Sequence, residues 1–172
     1  MDHSLETQMG TLLHERGLKI AFAESCTGGL VGNRVTNVPG SSEYFLGSLV
    51  AYAYEAKANL LGVSWDTLNT RGAVSRETVL EMARGARTAF QADIAVSISG
   101  IAGPGGGTPS KPVGTVWLAL AASDGERARE FHFSGTANKS KPHRLTRLCN
   151  LCWIIWMGNL QRMPSCATGY VC

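Results

Sequence analysis

Leu18-Lys19-Ile20-Ala21-Phe22-Ala23-Glu24-Ser25-Cys26-Thr27-Gly28-Gly29 is the stretch that decides the fold class. Residues 18–23 form a short apolar run of strand length, and the run stops at a polar turn closed by two glycines. Residues 25–36 begin with small side chains and read as a helix, so the stretch predicts strand, Gly-rich turn, helix. Upstream, Leu5, Met9, Leu12 and Leu13 recur at the spacing of one helix face, and Gly17 follows as a stop. A strand placed between two amphipathic helices points to an α/β protein, whose helices cover a sheet.

The alternation continues downstream. Pro39-Gly40-Ser41-Ser42 marks a turn, residues 44–53 read as a strand, and residues 55–61 read as a short helix closed by Gly62. Ser75 is a good N-cap for a helix over residues 76–90, with Val79, Met82, Ala83, Ala86 and Phe90 on its inner side. Residues 94–98 form a buried strand. A loop dense in Gly and Pro follows over residues 100–112. Residues 113–121 and 128–133 then make two strands joined around Asp124-Gly125, a hairpin signal. The expected architecture is a single three-layer α/β/α domain with a mixed sheet over residues 1–135, without internal repeat or linker.

Composition narrows the function classes. A chain of 172 residues with 44% hydrophobic content fits one domain with a real core, and this length argues against a fused second domain. A formal net charge of +3 is too small to make nucleic acid the main partner. No apolar run is long enough to span a membrane, and the polar N-terminus lacks the features of a signal peptide, so a cytoplasmic location is expected. Cys26 is the one cysteine before position 149; Cys149, Cys152, Cys166 and Cys172 crowd the end of the chain. In a reducing compartment these are thiols.

Two Gly-rich turns carry the candidate chemistry. At a strand-to-helix turn the free N–H groups favour negative charge, so Ser25 can attack a carbonyl while neighbouring N–H groups hold the oxyanion. The plainer alternative is that Ser25 or Thr27 caps the helix, with the glycines allowing close packing. Residues 99–107, Ser-Gly-Ile-Ala-Gly-Pro-Gly-Gly-Gly, offer backbone that approaches a ligand or phosphate, or simply a connector. They match neither the dinucleotide fingerprint nor the P-loop.

A serine nucleophile needs a base. His3, His14, His132 and His143 follow no triad pattern, and each fits a surface or packing role. A lysine serves if burial lowers its pKa. Lys57, where a strand turns into a helix, is better placed than Lys19 or Lys111. It also fits an ordinary solvated lysine paired with Glu55 or Glu81.

Five segments appear together and in order: Ala23-Glu24-Ser25-Cys26-Thr27-Gly28-Gly29, Tyr52-Ala53-Tyr54-Glu55-Ala56-Lys57, Gly72-Ala73-Val74-Ser75, Ser97-Ile98-Ser99-Gly100-Ile101-Ala102-Gly103-Pro104 and Lys111-Pro112-Val113-Gly114-Thr115-Val116-Trp117. Together they resemble the carboxy-terminal domain of the competence-damage-inducible protein CinA and its stand-alone relatives that act as nicotinamide-nucleotide amidases. The resemblance covers about residues 5–135. It implies hydrolysis of the carboxamide of nicotinamide mononucleotide to nicotinic acid mononucleotide and ammonia, without metal or cofactor. Carried over by motif, Ser25 is the nucleophile and Lys57 its base, and Tyr52 and Ser99 orient that lysine and the substrate. Cys26, Thr27, Gly28 and Gly29, with Gly100, Ala102 and Gly103, would line the nucleotide. The implied partner is a small nucleotide substrate, with a homo-oligomer left open. Where the family often has Ser-Asn in its lysine motif, this chain has Ala53-Tyr54, which alters ribose or phosphate contacts without removing the base. The alternative is a catalytically impaired CinA-like domain that binds a nucleotide or a protein partner.

After Phe133-Ser134-Gly135 the family continues with an Arg-bearing turn and a long amphipathic helix. Here Pro142 interrupts any helix, and Cys149-Asn150-Leu151-Cys152-Trp153-Ile154-Ile155-Trp156-Met157 shows no helical stripe. The codons of Cys152 to Gly158, regrouped by one frame, spell Leu, Asp, Tyr/His/Asn, Leu/Met, Asp, Gly, closer to the family's last helix. Residues 136–172 are therefore expected to be an atypical tail read out of frame. Such a tail lacks a clear counterpart of the family's arginine; Lys139, Lys141 and Arg144 are the nearest basic residues. Cys149-x-x-Cys152 invites a metal reading, but no second pair stands at ligand spacing, so no metal is expected.

Overall fold

Ser4 accepts a hydrogen bond from Thr7 N–H and starts helix α1, Leu5–Arg16, which Gly17 ends in the left-handed conformation. The computed structural model describes residues 4–133, and strand β1, Ile20–Glu24, follows directly. The expected helix from residue 25 begins later: α2 spans Leu30–Thr36. Gly28 and Gly29, at φ +63° and +94°, bend residues 25–29 into a turn that no right-handed helix can include. A 3-10 turn, Ser41–Glu43, leads into β2, Phe45–Val50. Helix α3 spans Tyr54–Leu61 and closes on Gly62 as expected.

Helix α4, Trp65–Arg71, has no counterpart in the sequence reading, because Leu68 alone of its residues is buried and no periodicity shows. Helix α5 spans Arg76–Phe90, with the Ser75 hydroxyl accepting from Thr78 N–H. Strands β3, Ile94–Gly100, β4, Thr115–Ala122, and β5, Gly125–His132, complete the described fold.

The sheet is mixed, as expected, with strand order β2-β1-β3-β4-β5. β1 lies parallel to both β2 and β3, while β3, β4 and β5 run antiparallel. Its two faces differ in side-chain size. Ile20, Phe22, Ile94, Val96, Ile98, Leu118 and Leu120 point one way and pack against Met9 and Leu13 of α1 and Val31 and Val35 of α2. Ala23, Ala95, Ala119 and Ala121 point the other way, toward Val79, Met82, Ala83 and Ala86 of α5. Alanines on that face let α5 lie close to the sheet, and helices on both faces make the three layers. Phe90, expected on the inner side, is half-buried, its ring against Gly47 of the edge strand. Burying each large side chain of this core contributes roughly 1.5–3 kcal/mol.

Register places the site. Glu24 stands opposite Val50 of β2 and Ile98 of β3, so three parallel strands end side by side. The turn at residues 25–29, the approach to α3 and the Gly/Pro loop all leave the sheet at that edge, where ligands bind in open α/β sheets. Among the described residues no helix is long and apolar enough to cross a membrane. The expectations on residues 134–172, including the frame, the metal reading and the missing arginine, lie outside the described residues.

Candidate active site

Ser25 is the first residue beyond β1. Its N–H donates to Ile98 O at 3.0 Å, which continues the parallel ladder by one bond and holds the backbone still. Its side chain does not cap α2. The N-cap position is Gly29, and the capping acceptor is the Glu24 carboxylate, which takes N–H bonds from Gly29, Val31 and Gly32. Thr27 does not cap either: it is buried, and among the described residues its Oγ1 has no hydrogen-bond partner. The capping alternative is thereby removed for both residues, and the Ser25 hydroxyl is left to Lys57.

Lys57 sits one turn into α3 and is fully buried. Its Nζ contacts Ser25 Oγ at 3.0 Å, Ala51 O at 2.7 Å and Tyr52 O at 2.8 Å. Ala51 N–H donates to Glu24 O, so the strand end that carries these carbonyls is tied to β1 beside the serine. The solvated-lysine alternative fails: Glu81 is engaged with Ser64 N–H and Thr67 Oγ1, and Glu55 is exposed. Burial away from water lowers the Lys57 pKa from 10.5 to about 8, with the nearby Cys26 acting in the opposite direction. An ammonium donates to all three oxygens. A neutral amine keeps two N–H groups for the carbonyls and turns its lone pair to the Ser25 hydroxyl.

The other expected residues fall in different places. Tyr52 meets Lys57 through its backbone carbonyl, while the residue as a whole is 72% exposed. Ser99 is buried and donates to Ala73 O at 2.7 Å rather than to Lys57. Ala73 N–H in turn donates to the Tyr54 hydroxyl at 3.3 Å, and Lys111 Nζ donates to Arg71 O at 2.7 Å. Residues 71–73 are thus held from three sides, by α3, the end of β3 and the Gly/Pro loop. Gly100 is packed on Val116, where a Cβ would come within 2.6 Å of Cγ2. Gly103 has φ +75°, and Ile101 pairs with Thr115 O and with Gly114 N–H, so the loop base is anchored. Cys26 is buried next to the serine, Gly28 is exposed at the turn, and Ala102 is half-buried.

Of the histidines expected at the surface, His14 pairs with Glu43 there, and His132 lies exposed with Nδ1 3.5 Å from Thr115 Oγ1. Among the described residues no group of three or more His, Cys, Asp and Glu side chains is arranged to hold a metal ion. The residue that sequence reasoning missed is Glu24. Its signal was a lone acid at the end of an otherwise apolar strand, immediately before the Gly-rich turn.

This geometry has relatives. The solved structure of the competence/damage-inducible protein CihA of Agrobacterium tumefaciens superposes with a TM-score of 0.85 at 37% identity, covering 91% of this chain and 93% of that one. A CinA superfamily protein of Klebsiella pneumoniae gives 0.87 at 31% identity, covering 92% and 97%. A CinA-like protein of Chloroherpeton thalassium is 55% identical over 130 residues, 76% of this chain and 31% of that relative. One of Geobacter metallireducens is 47% identical over 151 residues, 88% of this chain and 36% of that relative. The chain therefore spans about a third of the length of these curated relatives. The pattern that defines the CinA C-terminal domain matches residues 2–151, most of the sequence and all five motifs, and on that match the chain belongs to the CinA C-terminal domain family.

Proposed function

We propose that this domain is an amidohydrolase that converts nicotinamide mononucleotide to nicotinic acid mononucleotide and ammonia through a Ser25–Lys57 pair. The observation that carries the reading is the 3.0 Å contact between the buried Lys57 Nζ and Ser25 Oγ. The resemblance of the five motifs supports the choice of substrate.

The chemistry balances with these groups alone. Neutral Lys57 takes the Ser25 proton as Oγ attacks the carboxamide carbon. The tetrahedral oxyanion collapses, the C–N bond breaks, and Lys57 returns the proton to the departing ammonia. Water then attacks the Ser25 ester, giving its proton to Lys57, and the carboxylate product leaves as Ser25 Oγ is reprotonated. A second reading, a binding module without catalysis, draws on the much greater length of the curated relatives, in which this domain is one part.

Ammonia release from nicotinamide mononucleotide separates the two. Wild type releases ammonia, and Ser25→Ala and Lys57→Ala each lose at least about 1000-fold, because a nucleophile and its base act as a unit. No release from folded wild type leaves the binding reading standing.

A further inference from the structure

The Glu24 carboxylate is completely buried, and among the described residues its hydrogen bonds come from three backbone N–H groups and one hydroxyl, with no cationic side chain among them. Oε1 accepts from Gly32 N–H at 2.8 Å and from Ser48 Oγ at 2.8 Å. Oε2 accepts from Gly29 N–H at 3.0 Å and from Val31 N–H at 3.1 Å. Four donors converge on a group that only accepts, which satisfies a buried carboxylate without an ion pair. Glycine at position 32 makes the approach possible, since a Cβ there would sit 3.0 Å from the Ser48 Cβ and 3.4 Å from Oε1.

Those contacts do more than start a helix. The backbone of Glu24 is locked in β1, between Val50 of β2 and Ile98 of β3. Its side chain reaches forward over the turn to grip the residues on the far side, and Ser25 to Thr27 form the loop enclosed by that grip. We propose that Glu24 is a positioning residue for the nucleophile. It clamps both ends of the Ser25–Gly29 turn, and through Ser48 the edge strand, so that Ser25 Oγ stays at the distance at which Lys57 Nζ takes its proton.

The inference rests on the Ser25–Lys57 reading above, so its test follows the nucleophile and not the substrate. A fluorophosphonate phosphonylates an activated serine, Oγ displacing fluoride from phosphorus as Lys57 takes the proton, and its rate at Ser25 is measured by mass spectrometry for wild type, Glu24→Gln and Ser48→Ala. Glu24→Gln keeps the shape but turns an amide NH₂ toward two donors. Its maximal labelling rate is expected to fall on the order of 100-fold, the scale set by misplacing a reacting atom by about 1 Å. The probe concentration for half-maximal rate and the pH midpoint set by Lys57 should not move. Ser48→Ala removes one of the two donors on Oε1 and is expected to lose a few-fold.

A purely structural role lowers the melting temperature of Glu24→Gln and leaves its labelling at wild-type rate well below melting, which overturns the proposal. Should Glu24→Gln fail to fold, Ser48→Ala decides: labelling at wild-type rate overturns the proposal, and a slower maximal rate with an unmoved pH midpoint supports it. Wild type that takes no label removes the Ser25–Lys57 reading and this inference with it. Wild type that labels while Glu24→Gln labels equally removes only the inference.

Discussion

Lys57 Nζ meets Ser25 Oγ at 3.0 Å although 32 residues separate them in the chain. Parallel pairing closes that gap. Glu24 stands opposite Val50, Ala51 N–H bonds Glu24 O, and α3 starts immediately afterward, so the lysine is delivered beside the residue that follows β1. The same pairing buries the lysine, and burial, rather than a neighbouring charge, moves its pKa to about 8.

The pH dependence of the reaction follows from that shift. In the proposed mechanism Lys57 is the base in its neutral form, so kcat/KM should rise with pH through about 8 and level off above it. The sign is fixed by burial lowering the pKa of a cationic group: the active form accumulates as the proton leaves. A rate profile flat from pH 6 to pH 10 would contradict Lys57 as the base.

Tyr52 supports Lys57 by its backbone carbonyl while its ring faces solvent. Tyr52→Phe keeps that carbonyl. The midpoint of the pH profile should therefore stay near its wild-type value, and any effect should appear in KM. A midpoint displaced by about one unit would assign the hydroxyl a direct part in tuning the lysine.

Ser99→Ala leaves the Ala73 carbonyl without its 2.7 Å donor at the buried end of β3. The expected cost is roughly 1–3 kcal/mol of stability, read by denaturant unfolding. Ser99→Thr retains the hydroxyl and most of the stability. Because the Ser99 hydroxyl bonds Ala73 and not Lys57, the pH midpoint of activity should be the same in all three proteins.

Gly85→Ala tests the packing beneath the site. A Cβ at position 85 would lie 1.9 Å from Leu61 O, so α5 and α3 must separate. Alanine gains about 1 kcal/mol in helix propensity over glycine. The clash is with backbone that no rotamer change can move, and it should outweigh that gain, leaving the variant roughly 1–3 kcal/mol less stable. Since α3 carries Lys57, activity should fall together with the melting temperature. A variant as stable as wild type would show that the two helices tolerate a wider spacing.

Local signals carried much of this fold. The bounds of α1 and α5 follow from apolar spacing together with Gly17 and Ser75, because a helix face and its end residues involve neighbours a few positions apart. The strand–turn–helix stretch around Ser25 is local in the same sense, as is the hairpin, whose turn falls at Ser123-Asp124 so that β5 starts at Gly125, three residues before the expected start. Helix α4 was not legible, since a single buried leucine leaves no periodicity to read. Helix α2 starts at Leu30 and not at the expected Ser25, because its capping acceptor, the Glu24 side chain, reaches across the turn from the strand before it.

For the site, the sequence by itself determined which groups are available: a serine and a lysine in motifs matched to one family, and two glycines that force a turn. It did not determine that Lys57 is buried, that Ala51 and Tyr52 carbonyls hold its ammonium, or that Ser99 serves residue 73 instead of the lysine. Those facts depend on which strands pair and in what register. The tertiary structure alone decided that a lysine indistinguishable by spacing from a solvated one sits out of water against a hydroxyl, where desolvation lowers its pKa.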